Sequence, residues 1–166
     1  MRAFTALIVS LALAVWSGAI AAEDAAPDDV ATVDGIIEAL YASISGPAGP
    51  RDWDRFRSLM HPEARLLVHR ADGLLAWTPD QYVENASRYF DENPFYEVEL
   101  SRKMETYGGV THVFSTYDSR NTPDGDPFTQ GINSIQIIEA EGRLWILTIL
   151  WPSNPDNPPI PERYLD

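Results

Sequence analysis

The chain has 166 residues, of which 45% are hydrophobic, and 5 Trp, 7 Tyr and 6 Phe among them predict a folded domain and not a disordered chain. The formal net charge of −13 at pH 7 argues against a nucleic-acid-binding protein and against binding to an anionic membrane surface, because both require a basic face. Cysteine is absent, so the fold is predicted to depend on its core without disulfides.

Residues 1–22 are predicted to form a cleavable signal peptide. Arg2 supplies a positive start, residues 6–15 are apolar but too few to span a bilayer comfortably, and residues 19–21 (Ala-Ile-Ala) match a small-residue cleavage signal. We therefore expect a periplasmic or secreted protein that has no membrane association once the leader is removed.

The next part of the chain is predicted to be helical after a short lead-in. Residues 23–29 are small and acidic, and we expect them to be disordered. From Val30 to Ile44 apolar residues recur at helical spacing, and Gly46-Pro47 ends this helix. A second, short helix begins at Asp52. His61-Pro62 is predicted to end it, because proline cannot continue the helical hydrogen bonds.

The clearest local signal is a helix start at residues 78–81 (Thr-Pro-Asp-Gln). The threonine can cap the helix, proline suits its first position, and the glutamine completes a capping box. This helix is predicted to continue to about Asp91, before Asn93-Pro94 breaks it. Two short strands, residues 65–70 and 74–77, are predicted before it.

Residues 96–151 are predicted to form four long strands that fold back on one another. Turn signals at residues 108–109, 121–127 and 141–142 separate them. The segments between the turns are rich in β-branched and aromatic residues, which suit a pleated sheet. Residues 152–166 form a tail that contains too much proline for a central strand.

The last strand is apolar on both of its predicted faces. One face carries Trp145, Leu147, Ile149 and Trp151, and the other carries Leu144, Ile146, Thr148 and Leu150. We expect one face to line a pocket and the other to contact a second subunit. The sequence therefore predicts a homodimer.

The element order, together with four stretches, resembles the nuclear-transport-factor-2-like superfamily, which includes SnoaL-like cyclases, scytalone dehydratase and ketosteroid isomerase. The stretches are RDWDRFRSLMHPEARL (51–66), HVFSTYDSR (112–120), GINSIQ (131–136) and GRLWI (142–146). The resemblance covers residues 30–151. It implies an α+β fold in which a strongly bent, mostly antiparallel sheet wraps round N-terminal helices, giving a cone with an internal pocket.

Comparison with ketosteroid isomerase implies specific positions for the pocket. That enzyme uses a base carboxylate, a tyrosine and a protonated carboxylic acid. The acid position corresponds to Asn133, the base position lies near Val68, and the tyrosine position lies near Ala39 or Leu40, one step from Tyr41. Because two of the three roles are missing or displaced, steroid-type isomerisation is not predicted.

The candidate site residues follow from strand alternation and this comparison. The predicted ligand-binding residues are Tyr41, Ser115, Tyr117, Asn133, Leu147, Ile149 and Trp151. The candidate catalytic residues are His69, Tyr117 and Asn133. His69 is either a general base beside Asp72 or a half-exposed residue near a strand end. Tyr117 is either a ligand contact or a core residue, and Asn133 is either a polar group of the pocket or a structural residue.

No phosphate-binding loop, dinucleotide fingerprint or metal-spaced cluster occurs, so no cofactor and no metal are predicted. The predicted function is an exported domain that binds a small hydrophobic or carbonyl-bearing ligand in a mostly apolar pocket. This prediction depends on a scarcity of ionisable groups at the predicted pocket positions. Two alternatives are a dehydratase, isomerase or cyclase that acts on a small organic or polyketide-like substrate, and a dimeric scaffold domain without a ligand.

Overall fold

The computed structural model describes residues 24–153 and 157–166. The predicted signal peptide lies outside these residues. Within the described ranges, no helix has both the length and the apolar character needed to cross a membrane.

In the described residues, the domain consists of four helices and six strands. The helices are α1 (Pro27–Ala31), α2 (Val33–Ile44), α3 (Trp53–Ser58) and α4 (Pro79–Glu92). The strands are β1 (Met60–Arg70), β2 (Gly73–Trp77), β3 (Tyr96–Tyr107), β4 (Val110–Arg120), β5 (Pro127–Ala140) and β6 (Arg143–Pro152). A 3₁₀ turn, Glu162–Tyr164, lies near the C-terminus.

The strands form one open, curved sheet in the order β2-β1-β6-β5-β4-β3. All neighbours are antiparallel except β1 and β6, which are parallel. Apolar residues of α2 and α3 pack against one face of this sheet. The fully buried residues of this core include Ile36, Ile37, Phe56, Leu59, Val113, Ile135, Ile137 and Ile146. The predicted α+β class is therefore confirmed.

Helix α4 begins with the predicted capping box. Thr78 Oγ1 accepts a hydrogen bond from the Gln81 backbone N–H at 3.3 Å, and Gln81 Oε1 accepts one from the Thr78 backbone N–H at 2.9 Å. These two bonds satisfy backbone donors that a helix start leaves without partners. The helix places Tyr82, in its first turn, against Phe56, with ring centroids 5.3 Å apart.

Two predicted boundaries are wrong. Helix α1 begins at Pro27, inside the stretch expected to be a disordered lead-in. Both carboxylate oxygens of Asp29, in this helix, accept hydrogen bonds from the Arg55 guanidinium. The second helix ends at Ser58, and Met60 already pairs with Ile146 of β6. His61-Pro62 therefore lies in a strand, at an irregularity of the pairing, which suits a residue that has no N–H to donate.

The two faces of β6 differ from the predicted alternation. Pairing with β5 shifts between Gln136–Thr148 and Ile137–Ile146, so Leu147 is an extra residue at a β-bulge. Ile146 is fully buried on the core side, as Ile149 is, and Trp145 lies on the other side with its ring against His61. The predicted face of Leu144, Ile146, Thr148 and Leu150 is thus interrupted at Ile146.

The end of the C-terminal tail contacts the outer face of β3 and β4. The Tyr164 ring packs against Phe114 with centroids 5.1 Å apart, and its carbonyl oxygen accepts a hydrogen bond from Thr116 Oγ1 at 2.7 Å. The Asp166 carbonyl oxygen accepts one from Ser101 Oγ at 2.5 Å. Strand alternation places Phe114 and Thr116 on the face opposite to Ser115 and Tyr117.

Candidate functional site

A cavity of about 800 Å³ lies between the concave face of the sheet and helices α2, α3 and α4. Most of its wall near the helices is apolar, and polar groups come from α4, β3, β4 and β5. The apolar wall residues include Leu40, Ile44, Phe56, Leu66, Phe95, Ile149 and Trp151, and the polar ones include Tyr82, Glu97, Tyr117, Ser119, Thr129, Gln130 and Asn133. Residues 157–160 of the tail complete part of the wall. A concave apolar space with a few polar groups is the usual form of a small-molecule site.

Glu97, near the start of β3, is the acidic residue on this wall. Its Oε1 accepts a hydrogen bond from Asn133 Nδ2 at 3.2 Å, and its Oε2 lies 3.4 Å from Ser119 Oγ. Burial raises the pKa of the Glu97 carboxyl to about 7, against the lowering effect of these two hydrogen bonds, and the charge of Asp118 raises it further. Both protonation states of Glu97 are therefore populated near neutral pH.

Behind this wall, a chain of hydrogen bonds connects Asn133 to the protein surface. Asn133 Nδ2 lies 3.2 Å from the Tyr41 hydroxyl, which lies 2.7 Å from Ser115 Oγ. Ser115 Oγ donates to Glu99 Oε1 at 2.5 Å. Glu99 forms an ion pair with Arg102, whose guanidinium also contacts Asp34 at 2.8 Å. Tyr41 and Ser115 are buried, so this chain links the cavity to an exposed carboxylate on α2.

Two phenol groups, those of Tyr82 and Tyr117, also reach the cavity. Burial raises both of their pKa values, and the charge of Glu97 adds to the effect, so the hydroxyls stay protonated. Neither hydroxyl has a hydrogen-bond partner among the described residues, and no enclosed polar side-chain atom of that part of the chain lacks one. Both O–H groups are therefore open to the cavity and free to donate to a ligand.

The position of Tyr117 depends on a glycine in the neighbouring strand. Tyr117 pairs with Gly131 across β4 and β5. A Cβ atom at residue 131 would lie 2.5 Å from the Tyr117 hydroxyl oxygen and 2.7 Å from Cζ. Because Gly131 has no side chain, the Tyr117 ring can lie across the strand at this place.

The structure brings together most of the residues predicted for the site. Tyr117, Asn133, Ile149 and Trp151 lie on the cavity wall. Tyr41 and Ser115 lie behind Asn133 in the hydrogen-bonded chain and do not line the cavity.

Two predicted residues lie elsewhere. Leu147 is half-buried at the bulge of β6 and is not on the wall, because the bulge turns it away from Ile149. His69 is exposed near the end of β1, and its backbone carbonyl accepts a hydrogen bond from Ser153 N at 2.8 Å. The geometry therefore gives His69 no contact with this cavity. Val68, near which the base of ketosteroid isomerase was expected, is buried and does not line it either.

Sequence reasoning missed Glu97, whose carboxyl is an ionisable group on the described wall at a position that was not among the predicted site residues. Tyr107 pairs with Val110 at the turn between β3 and β4. If this register continued along both strands without a shift, Glu97 would lie opposite Arg120. The actual pairing shifts between Glu99 and Ser101, so Glu97 lies opposite Ser119 and faces the cavity. The signal in the sequence was two glutamates spaced two residues apart, which share a face of one strand.

Within the part of the chain that the structure describes, no three His, Cys, Asp or Glu side chains cluster so that they could hold a metal ion. Among the described residues, the cavity wall offers the carboxyl of Glu97 and the phenols of Tyr82 and Tyr117, together with amide and hydroxyl side chains.

Comparison with protein-family models gives no match, and comparison with curated proteins gives none either. Among solved structures, a nuclear-transport-factor-2-like protein of unknown function from Silicibacter pomeroyi DSS-3 superposes with a TM-score of 0.52. The match covers 72% of this chain and 90% of that chain, at 10% sequence identity. This chain has the nuclear-transport-factor-2-like fold.

Two other structures share the nuclear-transport-factor-2-like architecture. A protein of unknown function with a cystatin-like fold from Nostoc punctiforme PCC 73102 superposes with a TM-score of 0.58 at 11% identity, covering 75% of this chain and 92% of that chain. LinA superposes with a TM-score of 0.54 at 8% identity, covering 69% of this chain and 78% of that chain. Such low identities show the fold alone, so the function must be argued from the cavity.

Proposed function

We propose that this chain is an exported domain that binds a small, largely apolar molecule with a carbonyl or similar acceptor group in its cavity. The observation that carries the proposal is a cavity of about 800 Å³, lined by both apolar and polar side chains, whose wall holds two phenol O–H groups without partners among the described residues. A scaffold domain without a ligand would be expected to fill this space with side chains, because protein interiors are close-packed.

The phenols of Tyr82 and Tyr117 define the polar end of the ligand. Each can donate one hydrogen bond, and a carbonyl oxygen has two lone pairs that accept such bonds. Tyr82 is packed between Phe56 and Trp151, with ring centroids at 5.3 and 6.2 Å, so its ring is held in one place. A donor held in place by packing binds its acceptor at a low entropic cost.

Native mass spectrometry of protein purified from its own host tests this proposal. We expect the wild-type protein to carry an added small-molecule mass. Thr129→Trp, at an exposed position on the wall, should lose it because the indole fills the cavity. Gln136→Trp makes a similar change on the same strand, at an exposed position outside the cavity, and should keep it. Absence of the added mass from wild type, or its retention in Thr129→Trp, would contradict the proposal.

A second function, acid–base catalysis, is favoured by the position of Glu97 beside the two phenols. With a pKa of about 7, its carboxylate is available as a base at neutral pH. In this reaction Glu97 takes a proton from the carbon next to the ligand carbonyl. The electron pair of the broken C–H bond forms a carbon–carbon double bond, and the π pair of the carbonyl moves onto its oxygen. Tyr82 and Tyr117 stabilise that oxygen by hydrogen bonds. Return of the proton to another carbon completes an isomerisation, and its transfer to a departing hydroxyl as water completes a dehydration.

Deuterium exchange into a ketone tests the second function. The probe is 2-tetralone in D₂O, followed by NMR. We expect the protein to accelerate exchange next to the carbonyl, with a rate that rises as pH increases through about 7, because the ionised form of Glu97 is the base. Glu97→Gln should abolish the acceleration, and Glu105→Gln, at an exposed position of β3, should keep it. Equal exchange with and without protein would leave binding as the function.

Export is part of the proposal and is tested separately. The support is the composition of residues 1–22, with a positive start, an apolar run and small residues before Glu23. Intact-mass measurement of the exported protein should show a chain that begins near Ala22 or Glu23. A mature species that retains residues 1–21 would contradict it.

A further inference from the structure

We infer that the cavity selects molecules that carry a hydrogen-bond donor, such as a hydroxyl or N–H group, in addition to the carbonyl, because the hydrogen-bonded chain from Arg102 to Asn133 runs in one direction only. This inference rests on the proposed binding function and names the class of ligand more closely. It makes Asn133 the residue that determines specificity and Glu99 a residue that positions it.

The direction of the chain is set at its surface end. Glu99 forms an ion pair with Arg102, so its carboxylate accepts hydrogen bonds and has none to donate. Ser115 Oγ, 2.5 Å from Glu99 Oε1, must therefore be the donor in that contact. Its single hydrogen is then used, and Ser115 Oγ can only accept from its other neighbour.

The next two contacts of the hydrogen-bonded chain, up to Asn133, have their direction fixed in the same way. Tyr41 lies 2.7 Å from Ser115 Oγ and must donate its hydroxyl hydrogen there. The Tyr41 oxygen can then only accept, so the Asn133 atom 3.2 Å away must be the amide nitrogen. The second N–H of this amide donates to Glu97 Oε1 at 3.2 Å. Both amide hydrogens are thus used within the protein.

The remaining polar atom of Asn133 is its amide oxygen. It accepts no hydrogen bond from the described residues, and no enclosed polar side-chain atom among them lacks a partner, so Oδ1 is open to the cavity that Asn133 lines. An amide oxygen accepts and does not donate. A ligand that leaves it without a partner in a dry site loses affinity, and one with a hydroxyl or N–H at this place gains it.

The role of Asn133 toward a ligand follows from this. To hold a carbonyl or carboxylate group Asn133 would need a free N–H, and both of its amide hydrogens are used within the protein. The two phenols take the acceptor group of the ligand instead, and Asn133 takes its donor. The ligand class that fits both is a hydroxylated carbonyl compound.

Binding of matched probes, measured by isothermal titration calorimetry on the full chain, tests the inference. The probes are the 2-, 3- and 4-hydroxyacetophenones, which place the donor at different distances from the carbonyl, the three methoxyacetophenones and acetophenone. We expect one hydroxy isomer to bind about tenfold more tightly than its methoxy counterpart, as one hydrogen bond in a dry site allows. In Asn133→Leu this ratio should fall to about one, while Gln136→Leu, at an exposed position of the same strand outside the cavity, should keep it.

A second variant tests the direction of the hydrogen-bonded chain independently of the stability of the folded protein. Glu99→Gln keeps the shape of the side chain, but its amide can donate or accept, so the chain no longer has a fixed direction. At pH 5.5, where Glu97 is mostly protonated, the hydroxy-to-methoxy ratio should fall in Glu99→Gln and persist in wild type. A loss of stability alone would weaken both probes equally and leave the ratio unchanged. Glu99→Gln decides the question if Asn133→Leu does not fold.

The outcomes separate this inference from the proposed function. If acetophenone and the methoxy probes bind as tightly as the hydroxy probes, the binding function stands and the inference is wrong. A ratio that is unchanged in both Asn133→Leu and Glu99→Gln also overturns the inference. If no probe binds to wild type, both the inference and the proposed preference for carbonyl ligands are wrong.

Discussion

The carboxyl group of Glu97 lies on the cavity wall, where burial removes part of its hydration. An ionised carboxylate loses more solvation free energy on burial than a neutral carboxyl does, so the pKa rises from 4.5 to about 7. The hydrogen bond from Asn133 limits this rise, because it stabilises the ionised form. The same residue is therefore both the candidate base and a source of instability in the empty protein.

The stability of the protein should depend on the protonation of Glu97. Between pH 4.5 and about 7 the native state holds a proton on Glu97 that the unfolded state has released, so stability falls as pH rises through this window. Glu97→Gln removes the effect, and its gain in unfolding free energy over wild type should grow by at most about 3 kcal/mol across the window. Urea unfolding at pH 4.5, 6 and 8 measures it, with Glu105→Gln as the exposed control. A gain that is the same at all three values would show that Glu97 titrates normally.

Gly131 and Tyr117 form a matched pair at the same wall. In Gly131→Ala the new methyl group would lie within 3 Å of the phenol, so the ring must move into the cavity. We expect a stability loss of about 1–3 kcal/mol from overpacking and weaker binding of acetophenone. Gln136→Ala, at an exposed position of the same strand outside the cavity, should change neither property. Unchanged chemical shifts of the Tyr117 ring in the Gly131→Ala variant would show that the strand moves instead of the ring.

Among the elements, helix α4 connects a local sequence signal to the cavity. Its capping box fixes the first turn, and that turn carries Tyr82. Thr78→Ala removes one of the two side-chain bonds at the helix start and should cost about 1 kcal/mol in the free energy of unfolding. Asn85→Ala, in the exposed middle of the helix, should cost nothing, since alanine is a better helix former. Equal effects of the two substitutions in urea unfolding would show that the cap does not stabilise the folded protein.

At the scale of the whole molecule, the outer face of the sheet remains the proposed surface for a homodimer. The end of the tail covers Phe114 and Thr116 of β4, but Leu150 of β6 stays 37% exposed on this face. Light scattering at tens of micromolar protein should give the mass of a dimer, and Leu150→Glu should give that of a monomer, because it places a charge in the contact. Tyr89→Glu, at an exposed aromatic residue of α4 on the other side of the sheet, should leave the dimer intact. A wild-type monomer at this concentration would mean that the tail itself shields the face.

Much of this architecture follows from local sequence signals. The capping box before α4, the glycine turn between β3 and β4 and the apolar spacing of α2 each depend on residues close together in the chain. They predicted the α+β class and most of the elements, because turn and cap residues act within a few positions. Strand alternation and the resemblance to ketosteroid isomerase placed Tyr117, Asn133, Ile149 and Trp151 in the pocket, and in the structure they line the cavity.

The tertiary structure alone decided which way the side chains near two bulges face. The extra residues Leu100 in β3 and Leu147 in β6 each reverse the alternation beyond them, which brings Glu97 into the cavity and Ile146 into the core. Alternation cannot reveal these reversals, since β6 is apolar on both faces and β3 offers an apolar set and an acidic set at the same spacing. The register depends on which pairing packs best against helices from a distant part of the chain. No short stretch of sequence determines that packing energy.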